Sequence, residues 1–148
     1  MTDTMTAAEF QAEHGGPKNE RQLQKNVCQW LDLQNVTHYA VPNGQYRPGE
    51  RPEVGMQAGV PDLCIPVPSS IWSDGVNAGR YPEMAGALYI ELKTKTGRLS
   101  DQQIEWLDRL TDAGNACTVC RSLDDVIATV REYQNGRIDK EALWPHQR

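Results

Sequence analysis

Two short segments contain ionisable residues whose types and spacing suit the hydrolysis of a phosphate ester. Asp62 lies within VPDLCIPVP, a segment that is otherwise apolar, and Glu91 and Lys93 lie two residues apart within ALYIELK. Two carboxylates and a backbone carbonyl can bind Mg²⁺, because this ion prefers oxygen ligands and keeps several of its waters. A bound divalent ion makes water more nucleophilic and offsets charge on the phosphoryl oxygens. A lysine beside it can orient the attacking water or stabilise the transition state.

Both segments are predicted to be strands. In ALYIELK, apolar and polar positions alternate, which puts Glu91 and Lys93 on one face and the aliphatic side chains on the other. VPDLCIPVP is bounded by Gly59 and a serine-rich turn, so it predicts a buried strand with one acid inserted in it. Either pattern alone is weak, since a Glu and a Lys that share a strand face are usually solvated. The combination is more specific.

The rest of the sequence predicts the elements that would position these strands. Helix starts are indicated by capping residues at Asn19, Ser100 and Ser122. The apolar positions with helical spacing are Leu23, Val27, Trp30 and Leu31 in the first helix, Ile104, Leu107 and Leu110 in the second, and Val126, Ile127 and Val130 in the third. Further strands are predicted at HYAVP and NACTVC. This order of elements predicts an α/β sandwich, in which helices flank a central mixed β-sheet.

Length and composition predict a single globular domain of 148 residues. Residues 1–17 lack sustained periodicity and end in Gly-Gly-Pro, so we expect a mobile N-terminal arm before a domain over 18–136 and a tail over 137–148. No apolar run approaches the roughly 20 residues that span a bilayer, and no signal peptide is evident. We therefore expect a cytoplasmic protein without a membrane partner. The residues predicted to be buried thiols are Cys28, Cys64, Cys117 and Cys120.

The net charge of -5 argues against nucleic-acid binding unless the cations are clustered. Clusters are present. The segment KTKTGR, from Lys93 to Arg98, carries three cations and no acid, and Arg47 and Arg51 lie in another turn-rich segment. Lys95 and Arg98 are therefore candidates for phosphate contacts. The alternative for either cluster is a solvated loop with incidental charge.

In order along the chain, these motifs resemble those of the VRR-NUC domain, within the PD-(D/E)XK nuclease superfamily. The resemblance rests on PNGQYR, GVPDL, YIELKTKTGRLS and the following Gln103-x-x-Trp106, and it runs from about Glu20 to about Val130. It implies a restriction-endonuclease-like sandwich with an αβββαβ core. It also implies a metal-dependent DNA endonuclease.

The resemblance assigns roles at the reaction centre. It implies that Asp62 and Glu91 are metal ligands, that the Leu92 carbonyl is a third ligand, and that Lys93 is the catalytic lysine. The metal implied is Mg²⁺, with Mn²⁺ as a possible substitute, and no small-molecule organic cofactor is expected.

Four further positions match the family pattern, and each has a simpler interpretation. Glu20 matches an acid that assists near the metal, although a carboxylate in the first turn of a helix is favoured by the helix dipole alone. Gln103 matches a glutamine near the scissile phosphate, yet Ser100 and Gln103 also form a capping box. Asn43 and Arg47 match a loop that contacts the DNA backbone, and a turn that needs Asn-Gly would explain Asn43 nearly as well.

The resemblance also implies a class of substrate. Standalone domains of this family are associated with branched DNA, such as Holliday junctions or flaps, and a two-fold homodimer would present two sites to it. The interval between Asp62 and Glu91 is longer than in compact relatives, so the loop over 68–86 is expected to be an added element that contacts DNA or another subunit. One alternative is a non-catalytic nucleic-acid-binding or assembly protein that retains the fold, and another is a structural protein. The intact set of Asp62, Glu91 and Lys93 argues against the first alternative, and the second predicts that no divalent ion binds.

Overall fold

The computed structural model describes residues 5–42, 55–66, 86–135 and 140–148. In these residues the helices are α1 Ala7–His14, α2 Glu20–Leu33, α3 Asp101–Asp112 and α4 Leu123–Gln134, and the strands are β1 Tyr39–Ala40, β2 Leu63–Ile65, β3 Leu88–Leu92 and β4 Ala116–Cys120. A short 3-10 helix, Lys140–Ala142, follows. The predicted order of elements from the helix at Asn19 onward is confirmed. In the described part of the chain, no helix is long and apolar enough to cross a bilayer.

The strands form one mixed sheet in the order β1-β2-β3-β4. The pairs β1-β2 and β2-β3 are antiparallel, whereas β3 and β4 are parallel. Leu63 pairs with Ile90 across β2 and β3, and Leu92 pairs with Cys120 across β3 and β4. The carboxyl ends of β3 and β4 therefore lie side by side at one end of the sheet.

Helices cover both faces of the sheet, which confirms the predicted α/β sandwich. On one face, α1, α2 and α4 pack their apolar side chains against alternate residues of the strands, including Leu63, Ile90 and Leu92. On the other face, α3 contributes Leu107 to a smaller cluster. Cys117 belongs to the smaller cluster and Cys120 to the larger one, so the two thiols face opposite layers. All four cysteines are free.

The three predicted helix starts are confirmed. The side chains of Asn19, Ser100 and Ser122 accept hydrogen bonds from the amides of Gln22, Gln103 and Asp125 at 2.9, 3.2 and 3.1 Å. Each of these contacts satisfies a backbone donor that the helix itself leaves unpaired.

The strand that we predicted over VPDLCIPVP is shorter than expected, because prolines bound it. β2 covers Leu63–Ile65, and Pro61 and Pro66 on either side lack the amide that a sheet ladder requires. Asp62 is therefore not an acid inserted in a strand but the residue that precedes it. Its backbone is still fixed, because the Val41 amide donates to the Asp62 carbonyl at 2.8 Å.

The N-terminal segment differs from the mobile arm that we expected over 1–17. Ala7–His14 form α1, which is started by a capping box between Thr6 and Glu9 and contacts α4. Phe10 is fully buried in the larger core cluster. The helix was missed because only Ala7 and Phe10 face the core, so it shows no sustained periodicity, although the capping-box pattern is present in the sequence.

The end of the chain is also more than the tail that we expected over 137–148. The Trp144 amide donates to the Cys117 carbonyl at 2.9 Å, and the Gln147 side chain bonds the Val119 amide and carbonyl at 2.8 and 3.2 Å. Trp144 is buried, and its indole nitrogen donates to Asp108 at 2.7 Å. Residues 140–148 therefore cover the outer edge of β4, which would otherwise expose unpaired backbone groups.

The packing of α1 generates a stability prediction. Phe10→Ala should lower the free energy of unfolding by roughly 3–5 kcal/mol, because it removes a fully buried aromatic ring. Urea denaturation followed by circular dichroism measures this loss. Glu13→Ala, at an exposed position of the same helix, is the control and should change little. Equal stability of the Phe10→Ala variant and the parent would show that α1 is not part of the cooperative fold.

Candidate active site

Asp62 and Glu91 meet across neighbouring strands at the end of the sheet. The register pairs Leu63 with Ile90, and continuing it by one residue puts Asp62 opposite Glu91. The Leu92 amide donates to Asp62 Oδ2 at 2.7 Å. The last hydrogen bond between β2 and β3 is therefore accepted by the Asp62 side chain and not by a backbone carbonyl. In a strand, the amide and carbonyl of one residue point toward the same neighbour. The Leu92 carbonyl therefore points toward the side where Asp62 lies.

Glu91 is a buried carboxyl group with incomplete hydrogen bonding. Its side chain is 2% exposed, and its Oε1 accepts from Gln103 Nε2 at 2.6 Å. Its Oε2 is buried and has no hydrogen-bond partner among the described residues. Burial raises the pKa of Glu91 from its usual 4.5 to about 8; the Asp62 carboxylate adds to the rise, and the Lys93 ammonium opposes it. A further positive charge near Glu91 would favour its ionised form.

Lys93 lies between two carboxylates. Its Nζ is 3.7 Å from Glu91 Oε1 and 3.8 Å from Glu20 Oε1, and its side chain is only 9% exposed. Its amide donates to the Cys120 carbonyl at 3.0 Å, which ties the end of β3 to β4. The ammonium group is therefore positioned from both sides at the mouth of the site.

Glu20 reaches this cluster from the first residue of α2. Its side chain is 48% exposed, and the helix start is already capped by Asn19. The turn after β3 comes very close: a Cβ on Gly97 would lie 3.2 Å from Glu20 Oε1 and 3.4 Å from Lys93 Cδ. Glu20 lies in the first helical turn, as the simpler interpretation requires, and it also faces Lys93.

Gln103 forms the predicted capping box and also contacts Glu91. Its Oε1 accepts from the Ser100 amide at 2.9 Å, which completes the capping box of α3. Its Nε2 donates to Glu91 at 2.6 Å. Because an amide side chain has a donor and an acceptor at its two ends, the helix cap fixes the donor that orients the Glu91 carboxylate.

Two positioning residues were missed by the sequence analysis. The first, Arg121, donates through Nη1 to the carbonyls of Thr94 and Gly97 at 2.9 and 2.7 Å, and so fixes the turn that follows Lys93. It lies beside Lys93 when the β3-β4 register is continued by one residue. The sequence could have located it only with knowledge that these two strands are parallel neighbours.

The second missed residue is Gly59, in the segment that leads to Asp62. It has a φ of 88°, and a Cβ there would lie 2.6 Å from the backbone carbonyl carbon of Gln102. Only a glycine allows this close approach without displacing the first turn of α3. The contact brings the segment before Asp62 against the helix that carries Gln103.

The predicted DNA-contacting residues are only partly described. Lys95 and Arg98 are exposed in the segment around the turn that Arg121 fixes. Asn43 and Arg47 lie outside the described residues, as does nearly all of the predicted loop over 68–86.

The sequence matches the family model of the VRR-NUC domain over residues 18–124. The solved structure of a "VRR_NUC domain protein" is similar to this chain, with a TM-score of 0.57 and 21% sequence identity. The similarity covers 82% of this chain and 91% of that chain. No curated protein matches the chain. At this identity, the structural likeness concerns the fold alone.

The buried carboxyl of Glu91 predicts how stability depends on pH when divalent ions are removed with EDTA. Because the folded-state pKa of about 8 lies above the usual 4.5, the folded protein retains a proton that the unfolded chain loses between these values. The contribution of Glu91 to the free energy of unfolding is therefore largest below about pH 4.5 and declines as the pH rises to about 8.

Urea denaturation across this pH range, on the parent and on Glu91→Gln, isolates the effect of this carboxyl group. The free energy of unfolding of the Glu91→Gln variant should decline less than that of the parent as the pH rises. Glu105→Gln, at an exposed position of α3, is the matched control and should follow the parent. Identical pH profiles for the parent and Glu91→Gln would mean that Glu91 titrates like an ordinary carboxyl group.

Proposed function

The chain belongs to the VRR-NUC domain family, and on that premise we propose that it is a metal-dependent endonuclease that hydrolyses phosphodiester bonds in DNA. The family is of the nuclease type. The observation that supports the finer assignment is the cluster at the end of β3. There a buried Glu91 carboxyl lies beside Asp62 and within 3.7 Å of the Lys93 ammonium.

The oxygen atoms of this cluster fit a divalent ion. Glu91 Oε2 is buried and lacks a hydrogen-bond partner within the described segments, so a lone pair is available for a cation. Within those segments, no three side chains of His, Cys, Asp and Glu converge as a metal-binding group. The proposed ligands are two carboxylates, Asp62 and Glu91, with the Leu92 carbonyl, and such a set suits Mg²⁺ or Mn²⁺ that keeps several waters. The bound ion would supply positive charge to the phosphate and acidify a water molecule.

The other groups of the cluster orient the reactants. In the proposed reaction, a water oxygen attacks phosphorus and gives up a proton to solvent, the bond from phosphorus to the leaving oxygen breaks, and that oxygen takes up a proton from solvent. The Lys93 ammonium donates hydrogen bonds to the attacking water or to a phosphoryl oxygen. Glu20, 3.8 Å from the lysine nitrogen, keeps the ammonium group in position. Gln103 keeps the Glu91 carboxylate turned toward the cation through its 2.6 Å hydrogen bond.

The DNA would be bound by cations beside the cluster. We assign phosphate contacts to Lys95 and Arg98, which are exposed close to the reaction centre. Asn43 and Arg47 are assigned to the DNA backbone on the family pattern alone. On the same basis, we propose that branched DNA is the preferred substrate and that a two-fold dimer cuts it.

Replacing the lysine should separate chemistry from binding. We expect Lys93→Met to reduce cleavage by at least about 10²–10³-fold, because it removes a charged donor from the transition state, while DNA binding persists. Asp62→Asn and Glu91→Gln should lose cleavage and also weaken Mn²⁺ binding, measured by calorimetry.

The cleavage assay uses labelled single-stranded, duplex, flap and four-way-junction DNA with Mg²⁺, Mn²⁺ or EDTA. Light scattering measures the oligomeric mass.

Glu105→Gln is the control for the two carboxyl variants, since it removes an exposed carboxylate from α3 and should leave cleavage intact. Wild-type turnover by Lys93→Met would contradict the assignment of the site. DNA binding by the parent without cleavage under any metal condition would favour the non-catalytic alternative. A monomeric mass on junction DNA would contradict the dimer.

The salt dependence of DNA affinity tests whether Lys95 and Arg98 contact phosphates. Each phosphate contact contributes about 0.9 to the slope of log affinity against log salt concentration. The double variant Lys95→Gln, Arg98→Gln should therefore lower this slope by about 2 on duplex DNA. A slope equal to that of the parent would identify the two side chains as ordinary surface charge.

A further inference from the structure

Ten cationic side chains of the described residues fall into two groups. Some are engaged: Lys93 and Arg109 contact carboxylates, Arg121 donates to backbone carbonyls, and Arg148 lies 3.6 Å from Asp108. The cations without an ion pair or side-chain hydrogen bond within those residues are Lys18, Arg21, Lys25, Lys95, Arg98 and Arg131. Except for Arg131, all of the unengaged cations belong to two segments that contact each other.

The first of these segments is the start of α2, where three cations form what we call the basic stripe: Lys18, Arg21 and Lys25. Lys18 precedes the capping residue, and Arg21 and Lys25 are four residues apart, which puts them one above the other on a helix. All three are exposed. They lie away from the buried face of α2, which consists of Leu23, Asn26, Val27, Trp30 and Leu31.

The basic stripe is limited to the half of α2 that is nearest to the reaction centre. Two turns beyond Lys25, the same side of the helix carries Asp32, whose carboxylate lies 3.7 Å from His38. The positive charge therefore does not extend along the whole helix. It is concentrated where α2 begins.

The second segment is the turn after β3, with Lys95 and Arg98. It adjoins the start of α2, because a Cβ on Gly97 would lie 3.2 Å from Glu20 Oε1. Glu20 is the residue directly before Arg21. The stripe and the turn are thus neighbouring cationic segments that meet at Glu20, whose carboxylate is paired with the Lys93 ammonium at 3.8 Å, on a chain whose net charge is -5.

We propose that the basic stripe binds the phosphate backbone of DNA beyond the phosphate that is cut, so that the strand continues from the turn across the first two turns of α2. Arg21 and Lys25 are about 6 Å apart along the helix axis. Their long side chains can each reach a separate phosphate from that spacing. This inference rests on the proposed function, since it extends the DNA surface of the same site.

The experiment uses the full chain with Lys93→Met as the parent, so that DNA is bound and not cut. In that background, Lys18→Gln, Arg21→Gln and Lys25→Gln are combined; glutamine is a good helix former, so α2 should be retained. Affinity for duplex DNA is measured across salt concentrations. The triple variant should lower the slope of log affinity against log salt by between about 2 and 3.

The matched control removes three cations from other parts of the surface, with Arg109→Gln, Arg131→Gln and Arg148→Gln combined. It should leave the slope close to that of the parent. An unchanged slope in the stripe variant, or an equal fall in both triple variants, would overturn the inference and leave the proposed function standing. Stripe-dependent binding of poly-glutamate without any effect on DNA would assign the surface to an acidic protein partner. A parent that binds no DNA at low salt would overturn the proposed function itself, and the inference with it.

Discussion

The arrangement of the site depends on the free energy that it costs to bury the carboxyl group of Glu91. Removal from water raises the pKa of this group, and the carboxylates of Asp62 and Glu20 raise it further. Among the described residues, Lys93 is the cation that opposes this rise, and its ammonium is shared between Glu91 and Glu20. Proton uptake or a further cation would stabilise the buried carboxyl group. Glu91 Oε2, which accepts no hydrogen bond from the described residues, is the atom at which either would act.

The fold makes this costly arrangement possible because several well-supported elements contribute to it. Glu91 lies in β3, Lys93 directly follows that strand, and Asp62 directly precedes β2. Gln103 is oriented by a helix cap that would be stabilising in its own right. The core layers contain ordinary aliphatic packing, so the unfavourable electrostatics are confined to one end of the sheet. The stability that the core provides offsets the cost of the site.

The sequence predicted those parts of the fold and site that depend on local patterns. Alternation in ALYIELK indicated that Glu91 and Lys93 share a face, and the caps at Asn19, Ser100 and Ser122 start helices as expected. Contacts that depend on tertiary pairing could not be predicted. Arg121 acts on the turn after β3 only because β4 is parallel to that strand, and the closeness of Gly59 to α3 is a property of the packed molecule. The helix α1 escaped detection because two inward-facing residues are too few to establish a period.

The proposed phosphate binding and the proposed cation binding make opposite electrostatic demands, and the distribution of charge in the described residues is compatible with both. A cluster rich in carboxylates attracts a divalent ion but repels the phosphates that must approach it. Within the described residues, Lys93 is the cation inside the cluster, 3.7 Å from Glu91 and 3.8 Å from Glu20. The unengaged cations lie outside it, in the turn after β3 and at the start of α2, where they would attract phosphates without competing for the oxygens of Glu91. The net charge of the chain thus says little about its partners, since the relevant quantity is the charge within a few ångströms of Lys93.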